Sequence, residues 1–472
     1  MRVVIRYMYD LADISCVHMI GIGGIGMSAL AHALHDRGVR VTGSDVIESD
    51  QVQRLRALGI TVHLGHNAAN VDGAQLVTHT SAIRRDNCEW EAAAQLGIPV
   101  IHRSELLAAF LQGKRAVAVA GTHGKTTTTA MLTTILIDAG MDPTVFLGGI
   151  SLDLGDNYRL GGSDLVVFEA DESDASFRRY RNCWQIVTNV DQDHLDKHAN
   201  LDNIKQMFAE FMSTGNPEGF LVYGSDIEGL SDMAQCFPGP TRSFGIDDPN
   251  AYYRADEIRC TEDFRCLAQI HVGGRRAGTL SLQQPGHHNI CNALAAVGMA
   301  HSMGVAVEEA VQSLERFTGT ERRFQLLYHR DGLRIYDDYA HHPTEVKAAL
   351  RGARDLLPNA RLTVVFQPHL PSRTRLLLDD FATAFGLADT VIINSIYAAR
   401  EEPIPGFSAE TLVERIRSVD ADKPVLYFEN QDELLEHVWA NLADQELVMV
   451  MGAGDIYRVG HTIANRLAQE DG

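Results

Sequence analysis

Three things are scarce in this 472-residue chain, and each scarcity excludes a class of protein. No apolar run approaches the ~18 residues that a membrane-spanning helix needs, so a membrane-embedded protein is not expected. The seven cysteines, at positions 16, 88, 183, 236, 260, 266 and 291, form no CxxC pair. An odd number spread over so long a chain argues against a disulfide framework and for reduced thiols. Basic residues are also in deficit: 41 Lys and Arg face 62 Asp and Glu, a net charge of −21. Such a field repels nucleic acid and anionic membrane surfaces, so neither is expected as a partner. Anionic small molecules stay within reach only where backbone amides or a few Lys and Arg overcome that field. The first residues mix Arg, Asp and Tyr and lack the apolar core of a secretory signal. A cytoplasmic address is therefore expected. Low-complexity tracts and short-period repeats are missing too.

What is present is an ordinary globular composition, 45% hydrophobic and 22% charged. The length predicts about two to four domains. Short apolar runs alternate with amphipathic stretches, the rhythm of βαβ units and parallel sheets. Three blocks emerge, expected at residues 1–112, 113–321 and 322–472. The first opens with a strand at 16–20, a helix to about 35 and further strands at 39–42, 75–78 and 99–101. Strands at 115–120, 165–169 and 185–189 are expected in the second. Around 250–285 the pattern changes to alternation, with Gly273-Gly274 as a hairpin turn, which predicts an antiparallel insertion. Strands at 333–337, 362–366, 391–394, 425–428 and 447–451, separated by helices, predict a doubly wound third block.

The chemistry collects at strand ends. Gly21-Ile-Gly23-Gly24-Ile25-Gly26 follows a strand and opens a helix. Glycines in that setting let a backbone approach a pyrophosphate lying at the positive helix end. Asp45 falls where a ribose-binding acid belongs, about 20 residues on. The loop alone does not separate a dinucleotide from a UDP-sugar, or either from a ligand-free turn. Gly121-Thr122-His123-Gly124-Lys125-Thr126, continued by Thr127, is the strongest local signal. Its amides can cradle phosphates, Lys125 can neutralise β/γ charge and a threonine hydroxyl can bind a metal. The strict P-loop would place glycine where Val119 stands, so this is a shortened variant.

Two acid-rich strand ends follow, Glu169-Ala-Asp171-Glu172-Ser-Asp174 and Thr188-Asn189-Val-Asp191-Gln-Asp193-His194. Carboxylates gathered at apolar strand ends are costly unless a cation neutralises them. Their hard oxygens, joined by one histidine, suit Mg2+ or Mn2+. The third block delivers Asp337-Asp338-Tyr339, His341-His342-Pro343, Gln367-Pro-His369, Ser372-Arg373 and Gly454-Asp455 past its strands. Histidine and arginine there can hold a carboxylate or phosphate. Pro343 also suits the first position of a helix. Arg322-Arg323 fits either phosphate anchoring or a plain basic surface.

In order along the chain, these motifs closely resemble the Mur ligase family. The set adds Ser28, Thr80-Ser81-Ala-Ile83 with Asn87 and Glu89, Gly286-x-His288-Asn289-x-x-Asn292 and Asp337 through Glu345. The resemblance covers residues from about 16 to about 460. It implies an α/β fold of three domains: a Rossmann-like N-terminal domain for a UDP-sugar, a central P-loop-type ATPase and a Rossmann-like C-terminal domain. It implies an ATP-dependent ligase that phosphorylates the carboxylate of UDP-N-acetylmuramic acid and passes the acyl group to L-alanine. ATP with Mg2+ or Mn2+ would serve it, and the enzyme would be a monomer or weak homodimer. Carried over position by position, Gly23, Gly24, Ile25, Gly26, Ser28, Asp45, Ser81, His102 and Arg103 would face the UDP-sugar. The 121–127 loop, Asn289, Asn292, Arg323 and Asp337 would meet ATP. Thr126, Glu169 and His194 would hold metal. Tyr339, His341, His369 and Arg373 would meet the amino acid or the reacting carboxylate, with Lys125, Glu169, His194, His341, His369 and Arg373 carrying catalysis.

The sequence departs from the family where His287 replaces a frequent Arg and where Leu370-Pro371 replace an aromatic or Thr. A recycling ligase that adds a ready-made tripeptide to the same sugar is the near alternative. Ser173 and Tyr339 favour alanine. A dehydrogenase would leave the Lys125 loop and third block unexplained. A non-catalytic nucleotide sensor would not need Lys125, Glu169 and His194 intact. Domain closure is expected, because the three sites must converge.

Overall fold

The computed structural model describes residues 11–172, 176–191, 201–261, 264–399 and 401–470. The chain divides into two compact units. One comprises Met1–Val190, Lys205–Ser243 and Gly298–Val305, the other Asp191–Ile204, Phe244–Val297 and Ala306–Gly472.

The first unit contains a five-stranded parallel sheet in the order Thr61–Leu64, Arg40–Asp45, Cys16–Ile20, Leu76–His79, Val100–His102. Cys16–Ile20 is buried along its whole length, and the chain winds outward from it in both directions. In sheets of this kind ligands bind past the carboxyl ends of the strands where the winding reverses, here at the end of that strand. The same unit holds the parallel run Leu221–Gly224, Trp184–Val187, Arg115–Ala120, Leu165–Glu169 and Thr144–Ser151. Thr144–Ser151 turns back antiparallel into Asp156–Arg159. Arg115–Ala120 is an apolar run with only its first residue exposed, as a strand covered on both faces must be. Features missed in the sequence include this last hairpin and the strands Thr61–Leu64 and Leu221–Gly224. In Thr61–Leu64 only Val62 is buried, so hydrophobic patterning had nothing to show there.

Helix Ile25–Asp36 packs against the hairpin of Thr144–Ser151 and Asp156–Arg159. Asn157 is buried in that seam and donates from Nδ2 to Ile25 O at 2.6 Å and Ser28 Oγ at 3.0 Å. The buried side-chain amide thereby finds its own partners and ties the helix to the hairpin.

In the second unit, Tyr253–Cys260, Cys266–Val272 and Arg275–Leu282 form the antiparallel meander expected from the alternation. Gly273 and Gly274 stand at its turn with φ of +55° and +78°. The six-stranded sheet runs Gln325–Arg330, Leu333–Asp338, Glu446–Met451, Arg361–Phe366, Thr390–Asn394, Val425–Phe428. It is parallel except for the first strand, which pairs antiparallel at the edge. Successive residues point to opposite faces. Val364 packs with Leu350, Phe381 and Leu412 on one side, and Val365 packs with Leu434, Val459 and Ile463 on the other. Helices therefore cover both faces, the doubly wound arrangement that the apolar runs predict. His342 N-caps helix Pro343–Leu356, with Pro343 in its first turn and Glu345 closing a capping box.

Candidate active site

The first glycine turn is held from behind by the second strand. The carbonyl of Ser44 accepts from Gly21 N at 2.9 Å and Ile22 N at 3.1 Å. Asp45 Oδ2 accepts from Gly23 N at 2.9 Å. A Cβ on Gly23 would lie 2.8 Å from Val52 and 2.9 Å from that carboxylate, so the turn closes only with glycine. Gly24 caps helix Ile25–Asp36 without a side-chain acceptor, the arrangement that leaves a helix N-terminus to a ligand anion.

Below the turn lies a buried anion. Glu89 accepts from Ser44 Oγ at 2.6 Å and Asn70 Nδ2 at 2.6 Å, with His66 Nδ1 at 3.1 Å and His18 Nε2 at 3.6 Å. Burial opposes its charge, but His18, Ser44 and Asn70 outweigh that and hold the carboxyl down to about 2.

Ser28 is buried in the Asn157 seam, its hydroxyl already donating to Ile25 O. Ser81 Oγ and His102 Nε2 are 2.9 Å apart, and His102 also caps helix Arg103–Phe110. Arg103 joins the first turn to the acid run. Its Nη2 donates to Asp171 Oδ2 at 2.9 Å, and a Cβ on Gly26 would lie 3.4 Å from its Nη1.

The second turn, residues 121–124, leaves Arg115–Ala120 and enters helix Lys125–Asp138. Gly121 has φ of +139°, and a Cβ there would sit 1.9 Å from Thr188 Oγ1. Asn189, noted in the sequence only as a neighbour of acids, proves to be the clamp. Its Oδ1 accepts from His123 N at 2.8 Å, and its Nδ2 donates to His123 O at 3.0 Å. Thr122 N donates to the carbonyl of Asn189 at 3.2 Å.

Lys125 Nζ donates to Glu172 Oε2 at 2.8 Å and to Thr122 O at 3.1 Å. Burial works against the ammonium, yet Glu172, Asp171 and Glu169 together keep its pKa above the ordinary lysine value. Burial pushes the Glu172 carboxyl up to about 7 against the pull of Lys125. Thr126 Oγ1 donates to Glu169 Oε2 at 3.0 Å, and Gly148 N donates to Glu169 Oε1. Thr127 is buried in the first turn of the helix. Two hard oxygens of different residues thus stand side by side at the mouth of the phosphate loop, a donor set that fits Mg2+ or Mn2+. His194, with Asp193 and Asp196, lies outside the described residues, as do Ser173 and Asp174.

In the second unit, Tyr339, His341, His369 and Arg323 gather past the strand ends. The Tyr339 and His341 rings are 5.3 Å apart, those of His341 and His369 5.9 Å, and the Arg323 guanidinium lies 5.0 Å over Tyr339. His369 stacks on Tyr397 at 5.7 Å. Arg373 is buried in the short helix Pro371–Leu376.

Asp338, absent from the expected site, accepts from Phe324 N and Ala340 N. Burial pushes its carboxyl up to about 6, against Arg323 and those amides. Asp337 has no exposed surface and faces Arg322 Nε at 3.5 Å and His461 Nε2 at 3.7 Å. Any influence it has on a nucleotide passes through these neighbours. Asn289 donates to Pro285 O at 2.8 Å, and Asn292 Nδ2 reaches Asn289 Oδ1 at 3.3 Å. Both amides brace the turn that begins at Gly286.

A Rossmann-like sheet, a lysine-bearing phosphate loop flanked by carboxylates and a second doubly wound sheet are the parts of which modular nucleotide-using enzymes are built. The particular family follows from comparison. The Mur ligase family catalytic domain matches residues 16–115, the Mur ligase middle domain 119–300 and the Mur ligase glutamate ligase domain 322–454. The chain is 41% identical over 451 residues to the UDP-N-acetylmuramate–L-alanine ligase of Carboxydothermus hydrogenoformans, covering 95% of this chain and 96% of that protein. The crystal structure of the UDP-N-acetylmuramate-alanine ligase of Thermotoga maritima superposes with a TM-score of 0.83 at 31% identity, over 96% of this chain and 99% of that one. A murein peptide ligase from Psychrobacter arcticus gives 0.71 at 25% identity, over 96% and 98%. The chain belongs to the Mur ligase family, with its three-domain α/β architecture.

Proposed function

We propose that this chain joins L-alanine to the carboxylate of UDP-N-acetylmuramic acid at the expense of ATP, a step in building the peptidoglycan cell wall and so in cell shape and division. Full-length identity of 41% to an alanine ligase carries the reading. The TM-score, 0.83 for the alanine enzyme against 0.71 for the murein peptide ligase, favours alanine over the tripeptide alternative. Domains at 1–112, 113–321 and 322–472, a cytoplasmic address and a monomer or weak homodimer complete the reading. No helix among the described residues is long and apolar enough to cross a membrane.

In this mechanism the turn at 21–26 takes the pyrophosphate and Asp45 the ribose, with Ser81, His102 and Arg103 toward the sugar. The amides at 121–124 hold the ATP phosphates, which Lys125 reaches by turning from Glu172. A carboxyl poised near neutrality can then take a proton on its oxygen instead of remaining a bare buried anion. Thr126, Glu169 and His194 would hold a divalent ion, which would neutralise charge on the phosphates. Asn289, Asn292, Arg323 and Asp337 serve the nucleotide. Tyr339, His341, His369 and Arg373 orient alanine and the reacting carboxylate. Phosphoryl transfer gives an acyl phosphate, the amine of alanine attacks it, and phosphate leaves. Such transfer rests mainly on positioning and charge.

The test is phosphate release with ATP, magnesium and UDP-N-acetylmuramic acid, comparing L-alanine with the tripeptide. Release that depends on L-alanine is expected. Release with the tripeptide alone would move the reading to the recycling ligase, and none with either would overturn it.

A further inference from the structure

The meander of the second unit contains two thiols that the proposed reaction does not use. Cys260 ends one strand, Cys266 begins the next, and they are direct partners in the antiparallel register. Opposed residues in such a pair have Cα atoms ~4.5–5.5 Å apart, within the ~4.4–6.8 Å between Cα atoms that a disulfide spans. Cys260 is partly exposed and Cys266 buried, so one sulfur is reachable and the other waits behind it. The hairpin end is pinned by Thr261 N donating to Arg265 O at 2.8 Å.

We propose that Cys260 and Cys266 form a reversible oxidation site, closing to an intramolecular disulfide when a hydroperoxide is reduced. The Cys260 thiolate attacks a peroxide oxygen. The O–O bond breaks, Cys260 becomes a sulfenic acid and, with hydrogen peroxide, the first water leaves. Cys266 then attacks the Cys260 sulfur and gives up its proton, and the sulfenic oxygen leaves as a second water. Two thiols lose two electrons and two protons in all, and one peroxide becomes two waters. The order follows from the pair itself. The neighbouring Cys266 holds the Cys260 thiol below its ordinary pKa, while Cys260 and burial push Cys266 up. Asp355 opposes thiolate formation on both.

The site also touches the proposed nucleotide turn. The backbone of Gly286 favours the Cys266 thiolate, and Gly286 opens the turn braced by Asn289 and Asn292. Turning that sulfur toward Cys260 moves it away from this backbone. Oxidation should therefore raise the KM for ATP, a consequence that rests on the functional reading of that turn.

The experiment is to oxidise the full chain with hydrogen peroxide, alkylate remaining thiols and map tryptic peptides by mass spectrometry. Cleavage after Arg259, Arg265 and Arg275 separates residues 260–265 from 266–275. The expected product is this pair of peptides joined, lighter by two hydrogens and released by dithiothreitol. Full alkylation of both cysteines after oxidation, with damage confined to exposed Cys88 and Cys236, would overturn the site. In kinetics, wild type should show a dithiothreitol-reversible rise in KM for ATP that Cys260→Ser lacks. A disulfide without that rise would overturn the link to the turn. Failure of alanine ligation in the reduced chain would sink the functional reading and leave the peptide result standing.

Discussion

Residues 21–24 and 121–124 each leave a parallel strand flanked on both sides and enter a helix capped by glycine, Gly24 in one case and Gly124 in the other. What stands behind each turn differs. The first hangs from Ser44 and Asp45, with Glu89 buried beneath Ser44. The second hangs from the neutral side chains of Thr188 and Asn189, and presents Lys125 between Glu172 and the metal-type pair Thr126 and Glu169. One backbone shape thus serves two charge programmes. A turn backed by carboxylates suits a pyrophosphate diester, whose ribose hydroxyls can donate to Asp45. A turn with a lysine and flanking acids suits a nucleoside triphosphate that brings its own cation.

If the second turn is the reacting one, it alone should carry large effects on turnover. Lys125→Ala should cut kcat/KM by about 10³-fold or more, the scale of losing a preorganised charge on a transferring phosphoryl group. Its far-UV circular dichroism should stay that of wild type. Normal turnover in this variant would remove the phosphate assignment.

The first turn should instead respond through stability. The folded-state pKa of Glu89 lies near 2, below the ordinary glutamate value of 4.5. A depressed acid contributes stability above the unfolded pKa and loses it as pH falls through the folded one. Glu89→Gln should therefore cost on the order of 3 kcal/mol at neutral pH, with the gap to wild type shrinking between pH 4.5 and about 2. Urea titrations across that window read it directly. A gap that does not change with pH would mean that shape, not charge, holds Ser44 in place.

Asp45→Ala probes the ligand side of the same turn. Its expected effect is roughly a tenfold rise in the KM for UDP-N-acetylmuramic acid with kcat kept, the pattern of lost uniform binding. A drop in kcat with KM unchanged would break the division of labour between the two turns.

This division was half legible in the sequence. Both glycine turns, Lys125, Asp45 and five of the six strands of the third block could be read because their signals are local; the edge strand Gln325–Arg330, with no buried residue, could not. A strand covered on both faces is an unbroken apolar run, so Leu165–Glu169 and Thr390–Asn394 fall where that run falls. The supports were not legible. Glu89 is one acid in a polar stretch, and its partners come from positions 18, 44, 66 and 70. Asn189 looked like part of a metal cluster, yet its amide closes the phosphate loop 66 residues upstream. Asp337 was placed at ATP by the family resemblance alone, and its burial beside Arg322 and His461 was not legible.

Asn157 is the smallest of these supports and the most direct test of whether the two turns communicate. It reaches Ile25 and Ser28 on the helix of the first turn from the strand Asp156–Arg159. That strand is the hairpin partner of Thr144–Ser151, which contains Gly148, a donor to Glu169. Asn157→Ala removes two hydrogen bonds but leaves their acceptors, a carbonyl and a hydroxyl, with other partners or helix geometry to fall back on. A stability loss of about 1 kcal/mol follows, near the net worth of one such bond. The informative readout is kinetic. If the seam fixes the first turn against the second, the KM values for both the UDP-sugar and ATP should rise together in Asn157→Ala. If only the UDP-sugar term moves, the hairpin merely supports the helix, and the two turns work as independent sites on one unit.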